Sequence, residues 1–296
     1  MGRTAAGSVG MAVGTLAAAG AACVAYGVAV ERHWYRLRRE TVPVLPPGDA
    51  PRTVLHLSDF HLLARDRRRQ RFLAGLAELD TDLVVVTGDI LGEPSALDAS
   101  LETLSRFHPR LGAVAVLGSN DYYAPRPKNY LAYFRRRRRP RLPRGRNPWR
   151  ELIEGLERMG WVVLANRRAK LGDVELAGMN DPHIRLDDPT VAVPPDGDWA
   201  RLRIGVVHSP YQRSLNAFER SGYQLVLAGH THGGQVRLPG VGALVTNCDL
   251  PRERVRGLSR WGSSWLHVSA GLGTSKFAPF RFACRPEATL LTLVPA

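Results

Sequence analysis

The chain has 296 residues, 44% hydrophobic and 23% charged, a composition that excludes a disordered or collagen-like protein. Its length can bury a full core, as one large domain or two small ones. Three cysteines without paired spacing (Cys23, Cys248 and Cys284) exclude a disulfide framework and a cysteine zinc finger. The balance of 41 basic against 27 acidic residues, +14, points to anionic partners such as phosphates, lipid head groups or nucleic acid.

In chain order, Ala5 to Val30 is a run of 26 residues without charge. A helix rises about 1.5 Å per residue, so such a run is long enough for a hydrocarbon core of roughly 30 Å. The expectation is an N-terminal transmembrane helix; a cleaved signal peptide would have a shorter apolar core. The following flank carries Arg32, Arg36, Arg38 and Arg39 against Glu31 and Glu40. The positive-inside rule puts that flank, and the main domain with it, in the cytoplasm. Residues 1–40 thus read as a membrane anchor with a basic flank. Residues 41–51, with four prolines, read as an extended linker to a domain at 52–296.

Within that domain, short β-branched runs at Thr53–Leu57, Leu83–Thr87, Ala113–Leu117, Ile204–Val207 and Gln224–Ala228 predict buried strands. Arg71–Leu79 and Ala96–Phe107 predict helices. Asn147-Pro148 predicts the start of another, running to Met159, with Asn147 as cap and Pro148 in the first turn. Trp161–Leu164, Ala169–Leu171 and Val174–Ala177 are short and close together, which favours antiparallel hairpins. Leu266–Ser269 and Thr289–Val294 complete the strands. The fold class is α/β, a mixed sheet or two packed sheets flanked by helices. Residues 135–150 hold nine arginines and three prolines, which predicts an exposed basic loop. A second basic cluster spans Arg65 to Arg71.

The chemistry stands at the strand ends. Ser58-Asp59-Phe60-His61 follows the first strand, Gly88-Asp89 the second and Gly118-Ser119-Asn120-Asp121 the third. His208 ends the fourth, and Gly229-His230-Thr231-His232-Gly233-Gly234 follows the fifth. Ligand sites in open α/β sheets lie outside the carboxyl ends of strands. Oxygen and imidazole donors without thiolate suit Mn, Fe or Zn. Each piece alone is common, but five in this order are specific.

This pattern resembles the calcineurin-like metallophosphoesterases, whose blocks are Asp-x-His, Gly-Asp, Gly-Asn-His, His and Gly-His-x-His. The fuller Gly229 to Gln235 run is similar to a membrane-attached bacterial subgroup that includes UDP-diacylglucosamine pyrophosphate hydrolases. The resemblance implies a four-layer metallophosphoesterase-type β-sandwich flanked by helices, with two divalent metal ions at one edge. Carried over by motif, one metal falls to Asp59, His61 and His232, the other to Asn120, His208 and His230, with Asp89 between them. Two cations about 3.5–4 Å apart need such a shared anion, and they lower the pKa of a bridging water to give a hydroxide that attacks phosphorus in line.

One block departs from the family. Asp121 stands where the usual His protonates the leaving oxygen, and an aspartate with a pKa of about 3.9 is a poor acid at pH 7. Asp121 could carry a raised pKa, another residue such as His183 could serve, or the substrate could have a good leaving group; the third is favoured. Tyr122, Tyr123 and Tyr130 are expected to contact substrate or to pack. The expected activity is hydrolysis of a phosphodiester or pyrophosphate, on a substrate near a membrane, lipid-linked substrates included, with anionic lipid held by the arginine-rich loop. Nucleic acid is not the expected partner. The alternatives are a phosphomonoesterase or phosphoprotein phosphatase, and a membrane-tethered polyanion-binding protein.

Overall fold

The structure, a computed structural model, describes residues 3–126, 145–195 and 200–296. The strands, in chain order, are β1 (Arg36–Leu45), β2 (Arg52–Leu57), β3 (Leu83–Thr87), β4 (Gly112–Val116), β5 (Val162–Val163), β6 (Arg167–Leu171) and β7 (Val174–Met179). They continue with β8 (Leu202–Val207), β9 (Leu225–Ala228), β10 (Arg237–Leu238), β11 (Gly242–Ala243), β12 (Gly257–Trp261), β13 (Ser264–Val268) and β14 (Glu287–Pro295). Two sheets of six strands form, ordered β1-β14-β2-β3-β4-β5 and β12-β13-β9-β8-β7-β6, with β10-β11 a separate hairpin.

Three hydrophobic clusters define four layers. Between the sheets, Val54, Val85 and Val114 meet Leu176, Ile204 and Leu227. Over the outer face of the first sheet lie α2 (Arg67–Ala77), α3 (Leu97–Leu104) and α5 (Trp149–Arg158), inserting Leu73, Leu104 and Leu156, and a single helical turn, α4 (Ser119–Tyr122), follows β4. Over the second lies α6 (Gln212–Arg220), through Leu215 and Phe218. Strand β3, Leu-Val-Val-Val-Thr, is buried at every residue, which explains why it reads as an unbroken apolar run. Strands β2, β3 and β4 run parallel, as do β7, β8, β9 and β13. The carboxyl ends of β2, β3, β4, β8 and β9 therefore deliver their motifs to one edge of the sandwich.

Several expectations are corrected. The stretch 41–51, read as a linker, begins inside a strand: β1 pairs in parallel with β14, and Val42 and Leu45 are buried. Pro43 is tolerated because β1 is an edge strand, where a missing N–H leaves no ladder bond unmade. Of the three short strands expected as hairpins, β6 and β7 form one, but β5 joins the other sheet beside β4. At α5, Asn147 does not cap the helix; Pro148 takes the cap position.

The N-terminal run does form a helix, α1 (Arg3–Ala29), of 27 residues. Yet among the described residues no helix is long and apolar enough to cross a membrane. Ten alanines and five glycines give α1 length but little transfer free energy per residue. The expected transmembrane anchor is thus not supported, and the cytoplasmic placement that rested on it falls too. Most of the arginine-rich run, residues 135–144, lies outside the described residues, as does Tyr130. At its described end, the Arg150 guanidinium stacks 4.4 Å from the Trp149 ring.

A buried polar contact joins the sheets. His56 on β2 and His267 on β13 face each other with 2.8 Å between their Nδ1 atoms, and His56 Nε2 lies 3.0 Å from Thr87 Oγ1. Burial holds both rings neutral, His56 well below its ordinary 6.5 and His267 at about 4. Between pH 6.5 and about 4 the unfolded chain binds protons that the folded pair does not, so stability is lost as pH falls through that window. Denaturant unfolding at pH 7 and pH 4.5 should show a smaller pH-dependent loss for His267→Gln than for the wild type. Equal losses would contradict a neutral buried pair.

Candidate metal centre

The backbone at the sheet edge is bent in one recurring way. Nine described non-glycine residues have positive φ, and five are predicted ligands: Asp59 (50°), His61 (42°), Asp89 (53°), His230 (69°) and His232 (50°). Left-handed backbone costs a non-glycine residue about 1–3 kcal/mol and persists where surrounding structure imposes it, commonly at functional sites. Glycine makes the close approaches possible. A Cβ on Gly118 would sit 2.3 Å from Asp89 Oδ1, and one on Gly229 would sit 1.9 Å from Ser58 Oγ. No side chain fits at either position.

Five of the seven expected ligands come together in two overlapping triads, and Asn120 and His230 stand beside them. Asp59, His61 and His232 form one, and Asp59, Asp89 and His208 the other, all buried, with donor atoms within 4.8 Å of one another. His61 Nε2 lies 3.2 Å from His232 Nε2 and 3.5 Å from Asp89 Oδ2. His208 Nε2 lies 3.5 Å from Asp89 Oδ1. Asn120 donates to Asp89 from its backbone N–H at 2.8 Å and from Nδ2 at 2.6 Å, which leaves its amide oxygen for a cation. Asp59 accepts from Ser58 Oγ at 2.6 Å and from the His230 N–H at 3.0 Å.

The imidazole tautomers follow from backbone carbonyls. His208 Nδ1 donates to Thr87 O at 2.6 Å and His232 Nδ1 to Gly273 O at 3.2 Å, so each turns its Nε2 into the site, that of the neutral His232 unprotonated and that of His208 toward the Asp89 carboxylate. His230 Nε2 donates to Asn247 O at 3.4 Å, which leaves Nδ1. Burial lowers the pKa of His61 to about 4 and takes His230 and His232 well below 6.5. These rings are neutral near pH 7 and offer lone pairs. Burial alone would raise Asp89, but His208, His61 and the Asn120 N–H outweigh it and hold the carboxyl well below its usual range. The same pairing raises His208, against burial, well above 6.5. Burial, reinforced by Asp89 and opposed by His208, raises Asp59 to about 6.

The donor set fits divalent cations. Two adjacent buried carboxylates repel, the His61 and His232 Nε2 atoms converge to 3.2 Å, and the buried His208 Nε2 has no hydrogen-bond partner. The site opens to a cavity of about 120 Å³ lined by His61, Asp89, Asn120, His183, His230 and His232 together with Ser119, Gln235, Asn247, Ser275, Phe277 and Ala278. Larger cavities of 380 and 370 Å³ lie at the base of α1 and the edge of β1, away from the clusters. Gln235 was visible in the glycine-rich motif. Ser275, Phe277 and Asn247 carry no local signal, because only the fold brings their loops to the mouth.

Three predicted residues fall elsewhere. Asp121 is fully buried and outside the cavity lining: Oδ1 accepts the N–H groups of Ile90 (2.8 Å) and Leu91 (2.9 Å), and Oδ2 that of Gly118 (2.9 Å). Burial, then Asp89, push its pKa up to about 7 against those donors, but its geometry ties the second motif to the third and cannot reach a leaving oxygen. Tyr122 is buried against Trp149, with its hydroxyl on Asn180 Oδ1 at 2.9 Å, and Tyr123 packs beside it. Neither lines the cavity. His183 does, with its ring 4.6 Å from that of His230 and Nδ1 3.0 Å from the Tyr211 hydroxyl. Arg69, from the second basic cluster, turns inward and donates to the carbonyls of Phe60 (2.5 Å) and His61 (2.8 Å), bracing the first motif.

Asp and His clusters gathered at the strand ends of such a sandwich define a metal-dependent phosphoester hydrolase. The chain belongs to the family described as calcineurin-like phosphoesterase, whose pattern matches residues 52–234. It is 26% identical over 273 residues to the phosphodiesterase YaeI of Escherichia coli, covering 89% of this chain and 90% of that one. It is 27% identical to the metallophosphoesterase YkuE of Bacillus subtilis, covering 96% and 93%. A zebrafish (Danio rerio) transmembrane protein with metallophosphoesterase domain is 28% identical over 81% of this chain, which spans 52% of that relative.

Removing Asp121 would orphan three buried N–H groups, each costing about 1–3 kcal/mol. Asp121→Ala should therefore lose at least about 3 kcal/mol of unfolding free energy by urea titration. An unchanged urea midpoint would contradict the bracing role.

Proposed function

We propose that the chain hydrolyses a phosphodiester or pyrophosphate bond at this centre. The observation that carries the reading is the pair of buried triads sharing Asp59, opening onto one cavity. Asp59, His61 and His232 would hold one divalent ion, and Asp89, Asn120, His208 and His230 a second. Such ions, when bound, supply Lewis acidity toward phosphoryl oxygens and an activated water. The imidazole, carboxylate and amide donors admit Mn, Fe and Zn alike and do not select manganese.

The chain's own residues do the rest. Neutral His61, His230 and His232 present lone pairs without first losing protons. Asn120 orients Asp89 through two hydrogen bonds. With Asp121 committed to the backbone, His183 is the cavity residue able to hand a proton to the leaving oxygen, and Tyr211 sets its ring. Aryl phosphate and pyrophosphate leaving groups need little such help; alkoxides need it more. The finer reading, a lipid-linked phosphoester met at a membrane surface, draws support from the +14 charge and is tested by co-sedimentation of the chain with anionic vesicles.

The full chain, stripped of metal, should hydrolyse bis-p-nitrophenyl phosphate only after Mn, Zn or Fe is restored, and Asp89→Ala should not respond. His183→Gln should cost less than about tenfold on that diester and about a hundredfold or more on an alkyl diester, the usual size of general-acid help. Equal losses on both substrates would remove His183 from proton transfer. Metal-independent hydrolysis would remove the centre from the chemistry.

A further inference from the structure

Arg281 heads the largest fully enclosed side chains of the described residues. Enclosing a guanidinium is costly unless its donors are met. Here the two terminal nitrogens meet backbone carbonyls, while the buried Nε meets none: Nη2 donates to Ala270 O at 2.7 Å, Gly271 O at 3.1 Å and Gly273 O at 2.6 Å, and Nη1 to Cys284 O at 3.3 Å. Residues 270–273 are the turn on which two ligands rest. A Cβ on Gly271 would lie 2.5 Å from Asp59 Cβ, the Gly273 N–H donates to Asp59 O at 2.6 Å, and the Leu272 N–H donates to Ser58 O at 3.1 Å. Gly273 O faces His232 Nδ1 at 3.2 Å, and Arg281 Nη2 itself lies 3.4 Å from that nitrogen. One cation thus pins the turn that sets Asp59 from below and His232 from the side.

Arg281 is itself held from the N-terminal segment. Its N–H donates to Gly27 O at 3.2 Å, and a Cβ on Gly27 would sit 2.5 Å from Arg281 O, so only glycine allows the approach. The Glu31 carboxylate, buried, accepts the N–H groups of Ala283 at 2.9 Å and Cys284 at 2.5 Å. The Tyr26 ring stands edge-on to Phe282 at 6.5 Å. The contacts run without a gap from the end of α1, through 281–284 and the guanidinium, to Asp59 and His232.

We propose that Arg281 is a positioning residue for the cation that Asp59, His61 and His232 would hold, and that Gly27 and Glu31 set Arg281, so that metal affinity at that position depends on the docked end of α1. The proposal rests on the metal-centre reading above. Groups that orient metal ligands from behind typically contribute 10- to 100-fold to affinity.

The test is calorimetric titration of Mn²⁺ into the metal-stripped full chain, with thermal unfolding as a check on folding. The wild type should bind two ions. Arg281→Met should weaken one of them about 10- to 100-fold and leave the other unchanged. Arg281→Lys should recover part of the loss, because an ammonium can still reach some of the carbonyls. Glu31→Gln and Gly27→Val, which touch no ligand, should weaken the same ion. Should Arg281→Met fail to fold, those two variants decide. Two wild-type ions with all folded variants unaffected would overturn the proposal alone. A wild type that binds no metal would overturn the metal-centre reading and the proposal with it.

Discussion

The architecture of the site turns on one buried anion, the carboxylate of Asp89. It stands just past the end of β3, a strand buried at every residue, and an isolated carboxylate there would be untenable. Its neighbours answer that demand. Asn120 supplies two N–H donors, and His61 and His208 each bring an Nε2 to 3.5 Å, from opposite oxygens. Each partner comes from a different strand end. The two sheets must therefore pack in register for the charge to be met, and the inter-sheet core and the site impose the same alignment.

Meeting that demand bends the chain where bending is unfavourable. Asp59, His61, Asp89, His230 and His232 all sit in left-handed backbone. The strain is held from behind by groups that touch no substrate. Asp121 ties Ile90, Leu91 and Gly118 together, Arg69 pins Phe60 and His61, and Arg281 pins the turn beneath Asp59 and His232. A carboxylate or guanidinium facing several backbone groups is a stiff brace, because each unmade bond would leave a buried polar group unsatisfied.

The seven candidate ligands stand out in the sequence because they belong to local motifs set at the ends of β-branched runs, and both signals are short-range. What escaped the sequence is long-range. Strand β1 hides behind arginines and prolines because an edge strand tolerates both, and the apolar residues that betray it, Val42 and Leu45, are few. Asn147 looked like a helix cap, yet its amide donates to Asn120 O, a contact 27 residues away. Tyr122 and Tyr123 follow the third motif immediately, but one turn of helix, Ser119–Tyr122, swings them into the core. The bracing role of Asp121 is hidden from the sequence for a related reason: its residue type is plain and its backbone partners are not. The N-terminal helix was expected from its length, while its alanine and glycine content governs how it partitions.

The central proposal is that Asp89 would be shared by two cations. Anomalous diffraction at the manganese edge, on crystals of the full chain grown with Mn²⁺, addresses it directly. The account predicts two peaks, one against Asp59, His61 and His232 and one against Asn120, His208 and His230, with the Asp89 carboxylate contacting both. A single peak, or peaks that leave Asp89 without a metal contact, would contradict it.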